Sequence, residues 1–301
     1  MEHMARPFLK WAGGKTQLLP VLIESLPPRP KDGYNYAEAF LGGGALFFEL
    51  TNRGWIKTAI LNDANPELIL CYRTIRDSIT VVLKELRNIE TAFPDELELQ
   101  SDFFYEARKE WNSKICETVE SYPQNLVGRR VALTIFLNKT CYNGLFRVNS
   151  KGKFNTPFGK YKNPKICDEA NLRSVSESLQ NVELLCGDYS ELNNKESTSE
   201  FIYFDPPYRP LTTSASFTAY NKSGFNDENQ KELANFVESV SKKGIQILLS
   251  NSDPKVANPD DEFFDELYEE FHIKRILASR MINSKGDGRG KITEILVSNY
   301  D

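Results

Sequence analysis

The chain's 301 residues, 40% of them hydrophobic, suffice for one large core or two smaller ones. No apolar run approaches the ~18 residues needed to span a bilayer and no signal peptide opens the sequence, so a cytoplasmic protein without a membrane partner is the expectation. A formal charge of −5, two histidines and five scattered cysteines without a C-x-x-C pair argue against a globally basic polyanion binder, imidazole chemistry, a disulfide framework and a zinc cluster.

The first motif along the chain is "PFLKWAGGKTQLLP" (7–20), which contains the Gly-Gly-Lys-Thr ending of a phosphate-binding loop. That loop also needs a glycine where Leu9 stands and an apolar strand leading in, which "MEHMARPF" does not provide. A Gly-Gly turn capping the helix "KTQLLPVLIESL" suits the residues at least as well. Next, "YNYAEAF" (34–40) reads as a strand, "GGGALFFELTN" as a turn into a helix, "IKTAILND" (56–63) as a second strand and "NPELILCYRTIRD" as a second helix. This alternation predicts a parallel, doubly wound α/β sheet.

Gly42, Gly43 and Gly44 fall where such a sheet lets backbone approach a nucleotide cofactor closely. The dinucleotide fingerprint would need Gly or Ala where Phe47 stands, which weakens NAD. Asp63, 19 residues after Gly44 at the end of the next strand, is well placed to take both hydroxyls of a ribose. A glycine turn with such an acid suits an adenosine cofactor lacking a pyrophosphate, though a mere tight turn is the competing reading.

More than a hundred residues lie before the next strand, "VELLC" (182–186), far more than a crossover requires. They hold long helical stretches and then "LFRVNSKGKFNTPFG", which reads as a hairpin around Ser-Lys-Gly-Lys, so a second, mainly helical domain is expected here. From Asn138 to Lys165 the charged residues are all basic: Lys139, Arg147, Lys151, Lys153, Lys160, Lys162 and Lys165. This segment suits a solvated basic hairpin or a DNA-facing one.

After a helix over 168–180 and the strand "VELLC", the strand "FIYF" (201–204) runs directly into Asp205-Pro206-Pro207-Tyr208. Two prolines cannot continue a parallel ladder, so the chain leaves the sheet at its carboxyl end, where α/β folds place their ligands. A carboxylate, a proline carbonyl and an aromatic ring in one rigid turn could grip a planar ring bearing an amino group. The bland alternative is a Pro-Pro terminator with an incidental tyrosine. Helical patterns at 227–242 and 260–270 and strands "IQILLS" (245–250), "HIKRILA" and "ITEILVSN" (292–299) complete the chain.

"FLGGG" followed by "DPPY" resembles the amino-group DNA methyltransferases that use S-adenosylmethionine. "FLKWAGGK", "NDANPELI", "CYNGLFRVNSKGKFNTPFGKYK", "GDY", "SNSD" and "RGKITEILVSNY" are similar to blocks of the Dam family (D12 class, alpha group), and the similarity covers nearly the whole chain. It implies a Rossmann-like methyltransferase sheet over 1–63 and 181–301, with an inserted, mainly helical target-recognition domain carrying a β-hairpin over 64–180. The implied partner is double-stranded DNA, the implied cofactor S-adenosylmethionine, no metal is demanded, and the family acts as a monomer.

Residue by residue, the resemblance implies a cofactor site of Trp11, Gly13, Lys15, Phe40, Gly42, Gly44, Asp63, Asp188, Tyr189 and Asp205. Trp11 and Lys15 would lie near its methionine part, Asp188 at the adenine amino group and Tyr189 on the ring. In the family the segment matching "CYNGLFR" and "PFGKYK" reads GATC. That assigns Asn143, Leu145 and Arg147 to base edges, with Lys10, Pro157 and Tyr161 in support, and an arginine fork matches guanine's major-groove acceptors. Asp205, Pro206 and Tyr208 would form the catalytic set. Carbon-5 cytosine methylation requires a Pro-Cys nucleophile, and no Pro-Cys dipeptide occurs. The rival readings are a P-loop triphosphatase, a protein- or RNA-amino methyltransferase, and a transcriptional regulator that keeps the fold without turnover.

Overall fold

The computed structural model describes residues 4–194, 199–210, 225–279 and 291–301, so Arg289 and Gly290 of "RGKITEILVSNY" lie outside the described residues. In chain order the elements are α1 (Leu19–Glu24), β1 (Tyr34–Glu38), α2 (Ala45–Asn52), β2 (Ile56–Asp63), α3 (Pro66–Ala92), α4 (Leu97–Ser113), α5 (Gln124–Thr140), α6 (Glu169–Ser178), β3 (Val182–Cys186), β4 (Phe201–Phe204), α7 (Asp227–Lys242), β5 (Gln246–Ser252), α8 (Phe263–Leu267), β6 (His272–Ser279) and β7 (Lys291–Ser298). Among the described residues the architecture is mixed α/β with seven strands. It divides into two compact units: Met1–Gly14, Gly42–Arg53 and Asp63–Gly187 form the first, and Lys15–Leu41, Gly54–Asn62 and Asp188–Asp301 the second.

The second unit carries the strands β2-β1-β4-β5-β7-β6 in that order. β4 pairs in parallel with β1 (Ala37 opposite Ile202) and with β5 (Tyr203 opposite Leu248), while β7 runs antiparallel to both β5 and β6. β4 is buried along its whole length, which explains its unbroken apolar sequence. The chain after β1 turns to β2 on one side while β4 lies on the other, so the carboxyl ends of β1 and β4 flank a topological switch point. The expected helix after Lys15 starts as a 3-10 turn over Lys15–Gln17 and becomes α-helical only from Leu19, because Pro20, with no N–H to give, is accommodated only in a helix's first turn.

The first unit is mainly helical and includes β3. α3 packs against α5 and α6. Its start is fixed by Asn65, whose side chain accepts from the Glu67 and Leu68 amides, with Pro66 opening the helix. A buried ion pair joins α3 to α5: Arg130 Nε donates to Glu67 Oε2 at 3.0 Å, and the guanidinium lies 3.5 Å from the Trp111 ring centroid. The rings of Phe93, Phe103 and Phe104 pack edge-on or tilted against Phe136. The expected hairpin over 144–156 forms one antiparallel bridge, Val148 with Phe154. The Asn149 side chain accepts the Lys151 amide within the turn and the Lys153 amide beyond it, and the second of these replaces a ladder bond.

Candidate functional site

In the second unit, β4 delivers Asp205 directly from its carboxyl end. Lys15 Nζ lies 2.6 Å and 2.8 Å from the two Asp205 oxygens, and Ser250 Oγ, from β5, donates to Oδ1 at 2.9 Å. The Lys15 ammonium also sits 4.6 Å from the centroid of the Tyr208 ring. Lys15 is 6% exposed and the Asp205 side chain 19%, so the pair is partly desolvated yet reachable from one side. Behind Ser250, its Oγ shares a 3.0 Å hydrogen bond with the Tyr203 hydroxyl.

The turn after Asp205 is held at several points. Gln230 of α7 donates to the Pro207 carbonyl at 3.0 Å, the Arg209 amide donates to Asn251 Oδ1 at 3.2 Å, and Ser252 Oγ donates to the Arg209 carbonyl at 2.7 Å. The Arg209 guanidinium is pinned between Asp227 and Asp261. The Tyr208 hydroxyl donates to Glu294 Oε2 of β7 at 2.6 Å. Burial, reinforced by the Asp205 and Glu294 carboxylates, pushes the Tyr208 phenol well above its ordinary range, so it stays protonated and can only donate there. Burial and Asp205 do the same to Tyr203.

Also in the second unit, Phe40, just past β1, faces Tyr189 at 5.7 Å, and Tyr189 faces Phe236 of α7 at 5.2 Å. The Tyr189 phenol is pushed up to about 12, first by burial and then by Asp188 and Glu232. Asp188 is exposed at this ring cluster, with its own carbonyl accepting from Asn62.

The first unit holds the glycine turn. Gly42 has φ +49°, and a Cβ there would lie 2.9 Å from Cδ1 of Trp11, so this position needs glycine on two counts. Asp63 fixes the turn: its Oδ2 accepts from the Gly42 amide at 2.9 Å and its Oδ1 from the Asn65 amide at 2.9 Å. Burial raises the Asp63 carboxyl against these bonds. Gly44, also left-handed, caps α2, and Gly13 has φ +75°. Trp11 stacks on Phe146 at 5.4 Å, which ties the glycine turn to the basic segment.

The structure brings the residues assigned to DNA together around one turn. Asn143 and Gly144 both have positive φ, the backbone of a type I′ turn, which Asn-Gly adopts readily. The Lys10 side chain packs on Gly144, where a Cβ would lie 2.3 Å from Lys10 Cδ, and Lys10 Nζ lies 5.6 Å from the Tyr161 ring centroid. The Pro157 carbonyl accepts from the Tyr142 amide at 2.8 Å. Arg147 is exposed, and its Nε donates to Asn155 Oδ1 at 2.9 Å. The Leu145 carbonyl accepts from Thr156. Three contributors escaped the sequence reading. Buried Asn138 joins the Lys10 backbone to the Gly144 carbonyl, Tyr142 is 54% exposed beside Asn143, and Ser250 reaches Asp205. A hydroxyl ending the apolar run "IQILLS" was the available signal for Ser250.

Among the described residues no group of three His, Cys, Asp or Glu side chains is placed to hold a metal ion, and no helix is long and apolar enough to cross a membrane. Burial pushes the thiols of Cys116 and Cys141 up to about 12, which suppresses the nucleophilic thiolate at both.

A family model described as D12 class N6 adenine-specific DNA methyltransferase matches residues 11–282. The chain is 46% identical to the type II methyltransferase M.MjaIII of Methanocaldococcus jannaschii, over 98% of this chain and 99% of that protein. It is 38% identical to the type II methyltransferase M1.LlaDCHI of Lactococcus lactis subsp. cremoris, over 98% and 95%. It is 33% identical to the DNA adenine methylase of Serratia marcescens, over 97% of each.

Proposed function

Since the chain belongs to the D12 class of N6 adenine-specific DNA methyltransferases, which act on DNA with S-adenosylmethionine, we propose that it methylates the adenine of GATC after flipping that base out of the duplex. The observation that carries the catalytic part of this reading is the seat of the Lys15 ammonium. An N–H-bearing group already rests on the Asp205 carboxylate and over the Tyr208 ring, the two partners that an adenine amino group would require.

S-adenosylmethionine supplies the methyl group as an electrophile. In the first unit the left-handed Gly42 keeps the backbone open beside Trp11 and Asp63 offers a fixed carboxylate, which suits a ribose; in the second, Phe40 and Tyr189 offer ring faces and the exposed Asp188 an acceptor, which suits an adenine and its amino group. Trp11, Gly13, Lys15, Gly44 and Asp205 complete the proposed binding set.

Adenine's amino nitrogen is a poor nucleophile because its lone pair is delocalised into the ring. In the proposed reaction Lys15 yields its place, Asp205 and the Pro206 carbonyl accept the two N–H bonds, and the nitrogen lone pair is thereby localised. The same acceptors stabilise the positive charge that develops on that nitrogen, and Asp205 is positioned to receive the proton it sheds. Ser250 and the Pro207–Arg209 contacts keep the carboxylate and turn from relaxing toward the charge, which is what makes such stabilisation effective. Tyr208 stacks on the extruded base, returning part of the few kcal/mol that unstacking costs. Transfer is direct, with no covalent link between enzyme and base.

The reading extends to architecture and target. Residues 1–63 and 181–301 act as a doubly wound, Rossmann-like catalytic domain, and 64–180 as an inserted target-recognition domain. Asn143, Leu145 and Arg147 read base edges, with Lys10, Pro157 and Tyr161 supporting the turn, and the exposed, Asn155-steadied guanidinium suits a guanine. The enzyme acts as a cytoplasmic monomer. The test is transfer of labelled methyl from S-adenosylmethionine to two duplexes differing only in GATC against GTTC. Label recovered as 6-methyladenine from the first alone supports the target. Equal label in both overturns the GATC assignment.

A further inference from the structure

The Tyr208 ring is useful only if its plane is fixed, because a phenol free to rotate about its two side-chain torsions offers no defined face to a base. Its hydroxyl is the one handle far enough from the backbone to set that plane, and that handle is taken by Glu294 at 2.6 Å. A bond of that length from a neutral hydroxyl to a carboxylate belongs to the strong, charge-assisted kind.

Glu294 is well built for the task. It is 9% exposed, and its backbone is locked on both sides, opposite Ser252 of β5 and Ile276 of β6. Directly opposed residues of an antiparallel pair share a face, and so do alternate residues of one strand. Ser250, Ser252 and Glu294 therefore occupy one face of the sheet, and all three reach the turn that follows β4. Ser250 takes Asp205, Ser252 takes the Arg209 carbonyl and Glu294 takes Tyr208.

We propose that Glu294 is the positioning residue for Tyr208, holding its ring in the plane that receives the extruded base. This inference rests on the reading of Tyr208 as the stacking residue. Glu294 lies outside "DPPY", in the block "RGKITEILVSNY", whose resemblance assigns it no role.

The test is a double-mutant cycle with the full enzyme and a GATC duplex carrying 2-aminopurine at the target adenine, whose fluorescence rises on unstacking. Steady-state methylation of the unmodified duplex is measured alongside. Glu294→Ala is expected to lower kcat and the fluorescence gain about tenfold, the scale of one coupled contact, with KM for S-adenosylmethionine unchanged. Glu294→Gln, which keeps an acceptor oxygen, should recover most of both readouts. In a Tyr208→Phe background, where no hydroxyl remains to hold, Glu294→Ala should cost less than about twofold. An equal loss in both backgrounds, or wild-type behaviour of Glu294→Ala, overturns the proposal. Tyr208→Ala separates the premise: if that variant flips and methylates normally, the stacking reading itself falls, whatever Glu294 does.

Discussion

Replacing Lys15 by methionine tests how much of the catalytic turn's stability depends on one charge. Methionine keeps most of the side chain's length and apolar stem but removes the ammonium, leaving Asp205 with Ser250 as its remaining hydrogen-bond donor among the contacts described above. Breaking a buried ion pair by removing one partner costs about 3–5 kcal/mol, because the other charge stays desolvated. Here the low end applies, about 3 kcal/mol, since Asp205 retains Ser250 and is 19% exposed. For a chain of this size each kcal/mol shifts the melting midpoint by roughly 2 °C, so a fall of about 6 °C is expected in calorimetry of the ligand-free protein. Adding Asp205→Asn removes the stranded charge and should restore most of that loss. A single variant melting within about 1 °C of the parent, or a double variant no better than the single, would refute the assignment of Lys15 as Asp205's counter-ion.

Gly42→Ala places a side chain at φ +49° and drives its Cβ into Trp11. The left-handed backbone alone costs about 1–2 kcal/mol, so affinity for S-adenosylmethionine should fall about tenfold by calorimetric titration, and unchanged affinity would remove the glycine turn from the site. Arg147→Ala should cost about 1–3 kcal/mol of discrimination at one base pair, read as kcat/KM on GATC against singly substituted sites; a uniform loss over all sites would make it a phosphate contact. Asp168 gives a pH signature. Burial pushes its carboxyl up, but hydrogen bonds from Lys165 and Arg6 outweigh this and hold it at about 2. Its contribution is therefore present above the ordinary value of 3.8 and lost as pH falls from there toward 2. Because Arg6 and Lys165 are exposed, that contribution is about 1 kcal/mol, and Asp168→Asn should flatten the acid limb of the stability profile by that much in denaturant titrations.

Much of the second unit's sheet was legible because its strands are short apolar runs bounded by turn residues. β2 and β4 occupy the residues that "IKTAILND" and "FIYF" indicate, and the Asp-Pro-Pro break lies at the strand's carboxyl end. The partners within the site were not legible, because they are set by sheet register. Lys15 and Asp205 are 190 positions apart and Glu294 and Tyr208 86 apart, and no local periodicity relates such pairs. Side-chain competition with the backbone was the other blind spot. "LFRVNSKGKFNTPFG" has two short runs around Ser-Lys-Gly-Lys as a hairpin would, yet the Asn149 side chain takes the Lys153 amide that the next ladder bond would have used, and one bridge results.

Asp63 shows how a correct residue type can conceal a second duty. Its place at the end of β2 pointed to ribose hydroxyls, and each carboxylate oxygen has two acceptor directions to offer. One direction on each oxygen is already committed, on Oδ2 to the Gly42 amide and on Oδ1 to the Asn65 amide. Asn65 in turn caps α3. The carboxylate thus links the left-handed glycine to the start of α3 before any ligand is considered. Substitution by asparagine leaves one acceptor oxygen for two amides, so it disturbs the turn as well as the ribose seat. Loss of affinity in Asp63→Asn would therefore combine both effects. Asp63→Glu separates them poorly, because the added methylene moves both oxygens away from amides that the backbone holds fixed. The cleaner probe is the ligand: an S-adenosylmethionine analogue lacking the ribose hydroxyls, bound to the unaltered protein, removes the recognition contact and leaves the shaping contact in place.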